Sequence, residues 1–304
     1  MSSTSFRNLR ALGRCAAALL AAAPLAAPVT AQVTAQVTAQ VTAPPPAPAG
    51  VADPATPPYA DLADLVLASP VIADATVRSA TRIKGAEAAG VAPGKQRLYV
   101  KADVGALVRA PGGLPQRIGY LLDAPVDSRG RAPRLRKNRV IVFARPVAGA
   151  ADQVQLAAPD AQIPWTPGAD AVVRRIAQEI AAGGAPPAIT GVGNAFHVAG
   201  ALPGEGETQV FLQTADRRPV SLSVLRRPGE EKRWAVALSE IVDDAAGPPQ
   251  RDTLLWYRLA CGMPRALPTA ATDQLSPEDA ARAREDYQFV LQRLGPCVRR
   301  RAAT

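Results

Sequence analysis

Only one histidine, His197, is present in the 304 residues of this chain. Any site that needs two imidazoles is thereby excluded, including the common His-rich zinc centres. A serine-hydrolase triad would have to use His197, and the chain has no G-x-S-x-G elbow to present a nucleophile. Neither G-x-x-x-x-G-K-S/T nor a G-x-G-x-x-G following a strand occurs, so the two commonest phosphate-cradling loops are missing. Gly191-Val192-Gly193 on its own reads as a flexible turn. His197 lies in Asn194-Ala195-Phe196-His197-Val198, a strand pattern in which a hydrogen-bonded structural histidine is expected. No catalytic residue, metal site or cofactor is assigned.

Aromatic residues are also scarce, with three tryptophans, five tyrosines and five phenylalanines. Alanine supplies much of the hydrophobic fraction, so the core is expected to be built from small, closely packed layers. With so few large rings available, Trp234, Trp256 and Tyr257 are assigned to the core rather than to a sugar-binding surface.

Long apolar runs are absent except near the start. Residues Cys15 to Val29 are apolar, but Pro24 and Pro28 interrupt them and the run falls short of the roughly 20 residues that a membrane span requires. Arg7, Arg10 and Arg14 precede the run without any acid, and Val29-Thr30-Ala31 offers small residues for cleavage. That order is the order of a secretory signal peptide over residues 1–31, with Gln32 first in the mature chain. Cys15 precedes the apolar run, whereas a lipidated cysteine would follow it. The expectation is an exported, periplasmic or secreted protein with no transmembrane segment in its mature chain.

Cysteine is nearly absent as well. With Cys15 removed, Cys261 and Cys297 remain in an oxidising compartment and are expected to pair. A redox or metal role would call for C-x-x-C or clustered histidines, and neither is present.

What the chain has in excess is arginine. Of its 35 basic residues only Lys84, Lys95, Lys101, Lys137 and Lys232 are lysines, and the formal charge of +9 becomes about +6 without the three arginines of the signal peptide. The densest cluster is Arg129, Arg131, Arg134, Arg136, Lys137 and Arg139. It is read first as a solvated loop and strand edge, with an anion-binding patch as the competing reading. Export places it opposite an anionic envelope polymer, lipid head groups or another envelope protein, and away from nucleic acid. Arg299, Arg300 and Arg301 are read as a frayed basic tail.

The organisation follows from composition shifts. Residues 32–58, the VTAQ repeat running into a proline tract, form a disordered leader. Residues 59–168 form a β-rich domain, in which a short helix or capped turn over 59–68 is followed by strands at 71–77, 97–108, 117–123, 139–144 and 153–156. Five short strands at this spacing suggest a small OB-like barrel or sandwich. Residues 169–187 give a linking helix (170–182) and the domain boundary. Residues 188–250 hold an antiparallel meander with strands at 195–199, 208–214, 220–225 and 233–241. The tail, 251–304, carries a helix capped by Asp252, with a strand as the alternative there, and a second helix with Ser276 as N-cap, Pro277 at the first helical position and Gly295-Pro296 as the stop. The fold class is therefore α+β, ending in a disulfide-clamped helical segment packed on the second domain.

The paired carboxylates that a glycosidase needs could come from Asp243 with Asp244, Glu230 with Glu231, Glu240, or Asp123 with Asp127. All are next to predicted turns, where acids serve for solvation and capping. The function expected from sequence is an exported binding or envelope-accessory role rather than catalysis. The alternatives are a hydrolase of envelope polymers that uses two acids, and a periplasmic folding or assembly partner.

Overall fold

The computed structural model describes residues 56–239 and 246–301. The predicted signal peptide, Cys15 and nearly all of the predicted leader lie outside the described residues, as do Glu240, Asp243 and Asp244. The described residues are α+β, with a closed five-stranded mixed barrel, a second antiparallel sheet, four α-helices and a disulfide near the C-terminus.

Strands β1 (Val71–Arg82), β2 (Lys95–Arg109), β3 (Arg117–Pro125), β4 (Arg139–Val147) and β5 (Ala150–Leu156) run in the order β1-β2-β3-β5-β4, and β1 also pairs with β4, which closes the ring. Every ladder is antiparallel except that of β3 with β5. A short β6 (Gln162–Pro164) adds to β4. Period two decides which side chains enter the barrel. On β2, Leu98, Val100 and Ala102 are buried while Lys101 is exposed; on β3, Ile118, Tyr120 and Leu122 are buried while Arg117 and Leu121 are exposed. Along β4, five consecutive residues from Val140 to Ala144 are buried, so this strand is covered on both faces.

Three of the four α-helices described begin where a side chain takes up an orphan backbone donor. Helix α1 (Tyr59–Leu67), which does not, follows Pro57 and Pro58. Helix α2 (Pro167–Ala181) starts three residues before the predicted Asp170, because Thr166 accepts from the Ala169 N–H and Pro167 needs no partner at the first helical position. For α3 (Leu254–Gly262) the cap is Thr253, bonded to the Trp256 N–H, and not Asp252, whose φ of 59° places it in the left-handed region. Helix α4 (Pro277–Leu294) has the predicted Ser276 cap and ends at Gly295, φ 73°.

The meander consists of β7 (Ile189–Ala199), β8 (Gly206–Thr214), β9 (Val220–Arg226) and β10 (Arg233–Ala237), paired in chain order. Gly191-Val192-Gly193 is strand rather than turn. The β7–β8 register shifts on either side of it, and a Cβ at Gly191 or Gly193 would crowd the Gln213 side chain or the Phe211 carbonyl. Val192, Val210, Leu222 and Trp234 from the sheet and Leu254, Leu259, Tyr287 and Val290 from α3 and α4 are buried in the same cluster. Trp256 and Tyr257 are buried as expected. The outer face of β7 and β8 leaves Phe196 and Val198 exposed, with Phe196 edge-on to Phe211 at 5.9 Å.

Cys261 and Cys297 form the expected disulfide, with Cα atoms 5.2 Å apart. The arginines beyond it are not frayed. Arg299 bonds the Asp64 carboxylate at 2.7 Å, the Arg300 and Arg301 N–H groups donate to Asp61, and the Arg301 guanidinium pairs with Asp160. Helix α1 thus holds the tail through two inward-facing carboxylates.

A buried carboxylate joins α4 to the meander. Asp286 on α4 is fully buried and accepts from Thr208 Oγ1 at 2.6 Å, from the Arg226 guanidinium and from Lys232 Nζ at 3.1 Å. Because Thr208 gives its proton to Asp286, its oxygen accepts from His197 Nδ1 at 2.8 Å, which makes His197 a hydrogen-bonded strand residue with an assigned tautomer. Its neighbour Glu285 is drawn down from 4.5 to about 2 by hydrogen bonds from Lys232 and then Arg226. A depressed carboxyl contributes stability above its unfolded value, and that contribution is lost as pH falls through the folded one. Wild type should therefore melt above Glu285→Gln at pH 6, and the gap should narrow from pH 4.5 toward 2. Since Glu285 is half exposed, the gap is small and shrinks with salt. A melting-temperature difference independent of pH would contradict this role.

Candidate anion-binding groove

The β3–β4 loop is held against the barrel at one point. Leu135 is buried, the Asn138 N–H donates to its carbonyl at 2.9 Å, and the Lys137 N–H donates to the Val77 carbonyl at 2.8 Å. This last bond needs the turn at Lys137, φ 71°. Arg134 and Arg136 flank the buried leucine and are exposed. Facing them is the second half of β1. The β1–β2 register shifts between Val77 and Ser79, a bulge that leaves Arg78 without a cross-strand partner and redirects the side chains after it.

Between loop and strands runs a groove of about 940 Å³, whose cations are Arg78, Arg82, Lys101, Arg117, Arg134 and Arg136. Leu98, Leu135, Ala80 and Pro133 supply apolar lining. One carboxylate, Asp103, bonds both Arg78 at 3.1 Å and Arg117 at 3.3 Å. Among the described residues, no carboxylate forms a salt bridge with Arg82, Lys101, Arg134 or Arg136. Like charges gathered without counter-charges repel one another and raise a positive potential over a concave surface, which an anion relieves. Guanidinium forks suit carboxylate, sulfate and phosphate oxygens in pairs.

No protein-family model matches this chain, and no curated protein matches it in sequence.

Of the six cluster residues singled out by sequence, the groove brings together Arg134 and Arg136. Arg129 and Arg131 belong to a turn organised by Asp127, whose Oδ1 accepts both their backbone N–H groups at 2.9 Å; the Arg131 N–H is the main cause that keeps the Asp127 carboxyl below its ordinary range. Lys137 makes the turn described above. Arg139 clamps the buried Asp74 with bonds of 2.9 and 2.6 Å, and its guanidinium stacks 3.6 Å above the Trp165 ring. Arg78, Arg82, Lys101 and Arg117, which complete the groove, stand on three strands and have no sequence proximity to betray them.

The candidate acids are engaged elsewhere. Asp123 is clamped by Arg97 through bonds of 2.8 and 2.9 Å, Glu230 pairs with Arg233, and Glu231 pairs with Arg293. Among the described residues no three His, Cys, Asp or Glu side chains cluster so as to hold a metal ion.

Proposed function

We propose that this protein is an exported binding module that holds an anionic envelope polymer in the groove between the β3–β4 loop and strands β1 and β2. The observation that carries the reading is the set of four cations, Arg82, Lys101, Arg134 and Arg136, with no acid to neutralise them among the described residues. A concave cationic surface suits a chain that can enter it better than a flat membrane, whose head groups would reach only the rim.

Two further observations support the reading. The barrel's order β1-β2-β3-β5-β4 with β3 parallel to β5 supports an OB-like barrel, an architecture whose strand faces and loops suit extended polymers. The Cys261–Cys297 bond supports an oxidising compartment and hence export, which predicts that protein recovered from the cell envelope begins at Gln32. An intact Met1 on that protein would remove the envelope from the proposal.

The direct test is binding of the wild type and of an Arg134→Gln/Arg136→Gln double variant to an acidic polysaccharide and to anionic vesicles. Losing two charge-assisted contacts should weaken polysaccharide binding by about tenfold and flatten its salt dependence. Tighter binding to vesicles than to the polysaccharide would replace the polymer by a lipid surface.

A further inference from the structure

A second hollow adjoins the cationic groove on the outer face of the barrel, and its chemistry differs. It measures about 560 Å³, within the range of sites that bind small organic groups. Its lining includes Tyr99, Leu121, Arg145, Val147, Gln153 and Gln155, from β2, β3, β4 and β5.

Two of the lining side chains, Tyr99 and Gln153, meet over a glycine at the centre of β3. Gly119 pairs with Lys101 on one side and with Gln153 on the other. A Cβ there would overlap the Tyr99 hydroxyl and the Gln153 amide, which instead meet across the strand in a hydrogen bond of 3.2 Å. That bond uses the Gln153 oxygen as acceptor, so its Nε2 donors remain available, and no described residue bonds them or the Arg145 guanidinium. Beside these donors lie exposed apolar groups: Leu121 is 49% and Val147 37% exposed. The one acid of the hollow, Asp123, is already clamped by Arg97.

An aromatic and aliphatic platform edged by amide and guanidinium donors suits a ring with apolar C–H faces and hydroxyls at its rim. Its apolar platform gives nothing to a polyphosphate chain, which has no apolar face and would meet only the Arg145 and Gln153 donors. Lys101 stands between the hollow and the groove: it lines the groove, pairs with Gly119 across the ladder and has its Nζ 5.9 Å from the centre of the Tyr99 ring.

We infer that the polymer is an acidic polysaccharide, with its anionic groups in the arginine groove and one sugar ring against Tyr99, Leu121 and Gln153. This inference rests on the groove reading and sharpens it to a ligand class. Tyr99 and Gln153 make the difference between a sugar acid and any other polyanion.

Two probes separate the readings: a short oligogalacturonate and an inorganic polyphosphate of matched charge, each titrated against wild type, Tyr99→Ala and Gln153→Ala. Both residues are only half buried on the barrel surface, and a melting curve for each variant confirms that it folds. The expected result is that both variants bind oligogalacturonate about tenfold more weakly while polyphosphate affinity stays within about twofold. Unchanged oligogalacturonate binding in both variants overturns the saccharide assignment and leaves the groove reading standing, as does tighter wild-type binding to polyphosphate. If the wild type binds neither probe, the groove reading itself fails.

Discussion

Asp286→Ala is expected to destabilise the protein by about 3–5 kcal/mol, the cost of breaking a buried ion pair whose cations keep only the half-exposed Glu285. Asp286 is fully buried, and the partners it would abandon are Arg226 and Lys232, whose side chains are only 12% and 24% exposed. Thr208 would lose its acceptor, and with it the arrangement that lets Thr208 accept from His197. Because the three partners come from β8, β9 and the turn before β10, and Thr208 in turn holds His197 of β7, the damage should appear as loosening of α4 from the meander. Asp286→Asn keeps the shape and one acceptor, so it should cost less than alanine. Urea denaturation monitored by tryptophan fluorescence measures both; a cost for alanine below about 1 kcal/mol would mean that the charges are hydrated after all.

The disulfide carries the second large effect. Cys261 and Cys297 are separated by 36 residues, and opening a loop of that size releases about 4 kcal/mol of chain entropy in the unfolded state. A Cys261→Ser/Cys297→Ser variant should therefore lose about 4 kcal/mol and melt about 10 °C lower. The bond ties the last turn of α3 to the segment after α4, while Arg299, Arg300 and Arg301 tie that segment to α1. Without the crosslink the tail still has those carboxylate contacts, so the folded state should persist at room temperature. Loss of all structure in the double variant would show that the bond does more than restrict the unfolded chain.

How much of this could be read from the sequence depended on how local the cause was. Helix α4 was legible to the residue because Ser276, Pro277 and Gly295 act on their own neighbours. At α3, two cap-competent residues stand side by side, and only the left-handed backbone at Asp252 decides for Thr253. Strand β7 was half missed because Gly191 and Gly193 look like punctuation, whereas both lie within the strand. The tail arginines were misread for a different reason: their carboxylate partners, Asp61, Asp64 and Asp160, lie more than a hundred residues upstream.

The groove shows the same limit most clearly. Arg134 and Arg136 were visible as part of a basic run, yet the run itself is dispersed by folding: Asp127 and Asp74 claim Arg131 and Arg139, and Leu135 turns its two neighbours outward. The residues that join them, Arg78, Arg82, Lys101 and Arg117, are brought there by the bulge in β1 and by the β1–β2–β3 ladder. Charge density along the chain is thus a poor guide to charge density on the surface, because pairing removes some cations and strand register recruits others.

The proposal requires that binding depend on where the charge sits and not on the net charge alone. The most direct measurement compares Arg134→Gln/Arg136→Gln with a charge-matched Arg227→Gln/Arg265→Gln control on one acidic polysaccharide at one ionic strength. Arg227 and Arg265 are exposed, lie outside the groove, and have no carboxylate partner among the described residues. The account predicts a loss of about tenfold for the groove variant and less than about twofold for the control. Equal losses in the two would contradict it.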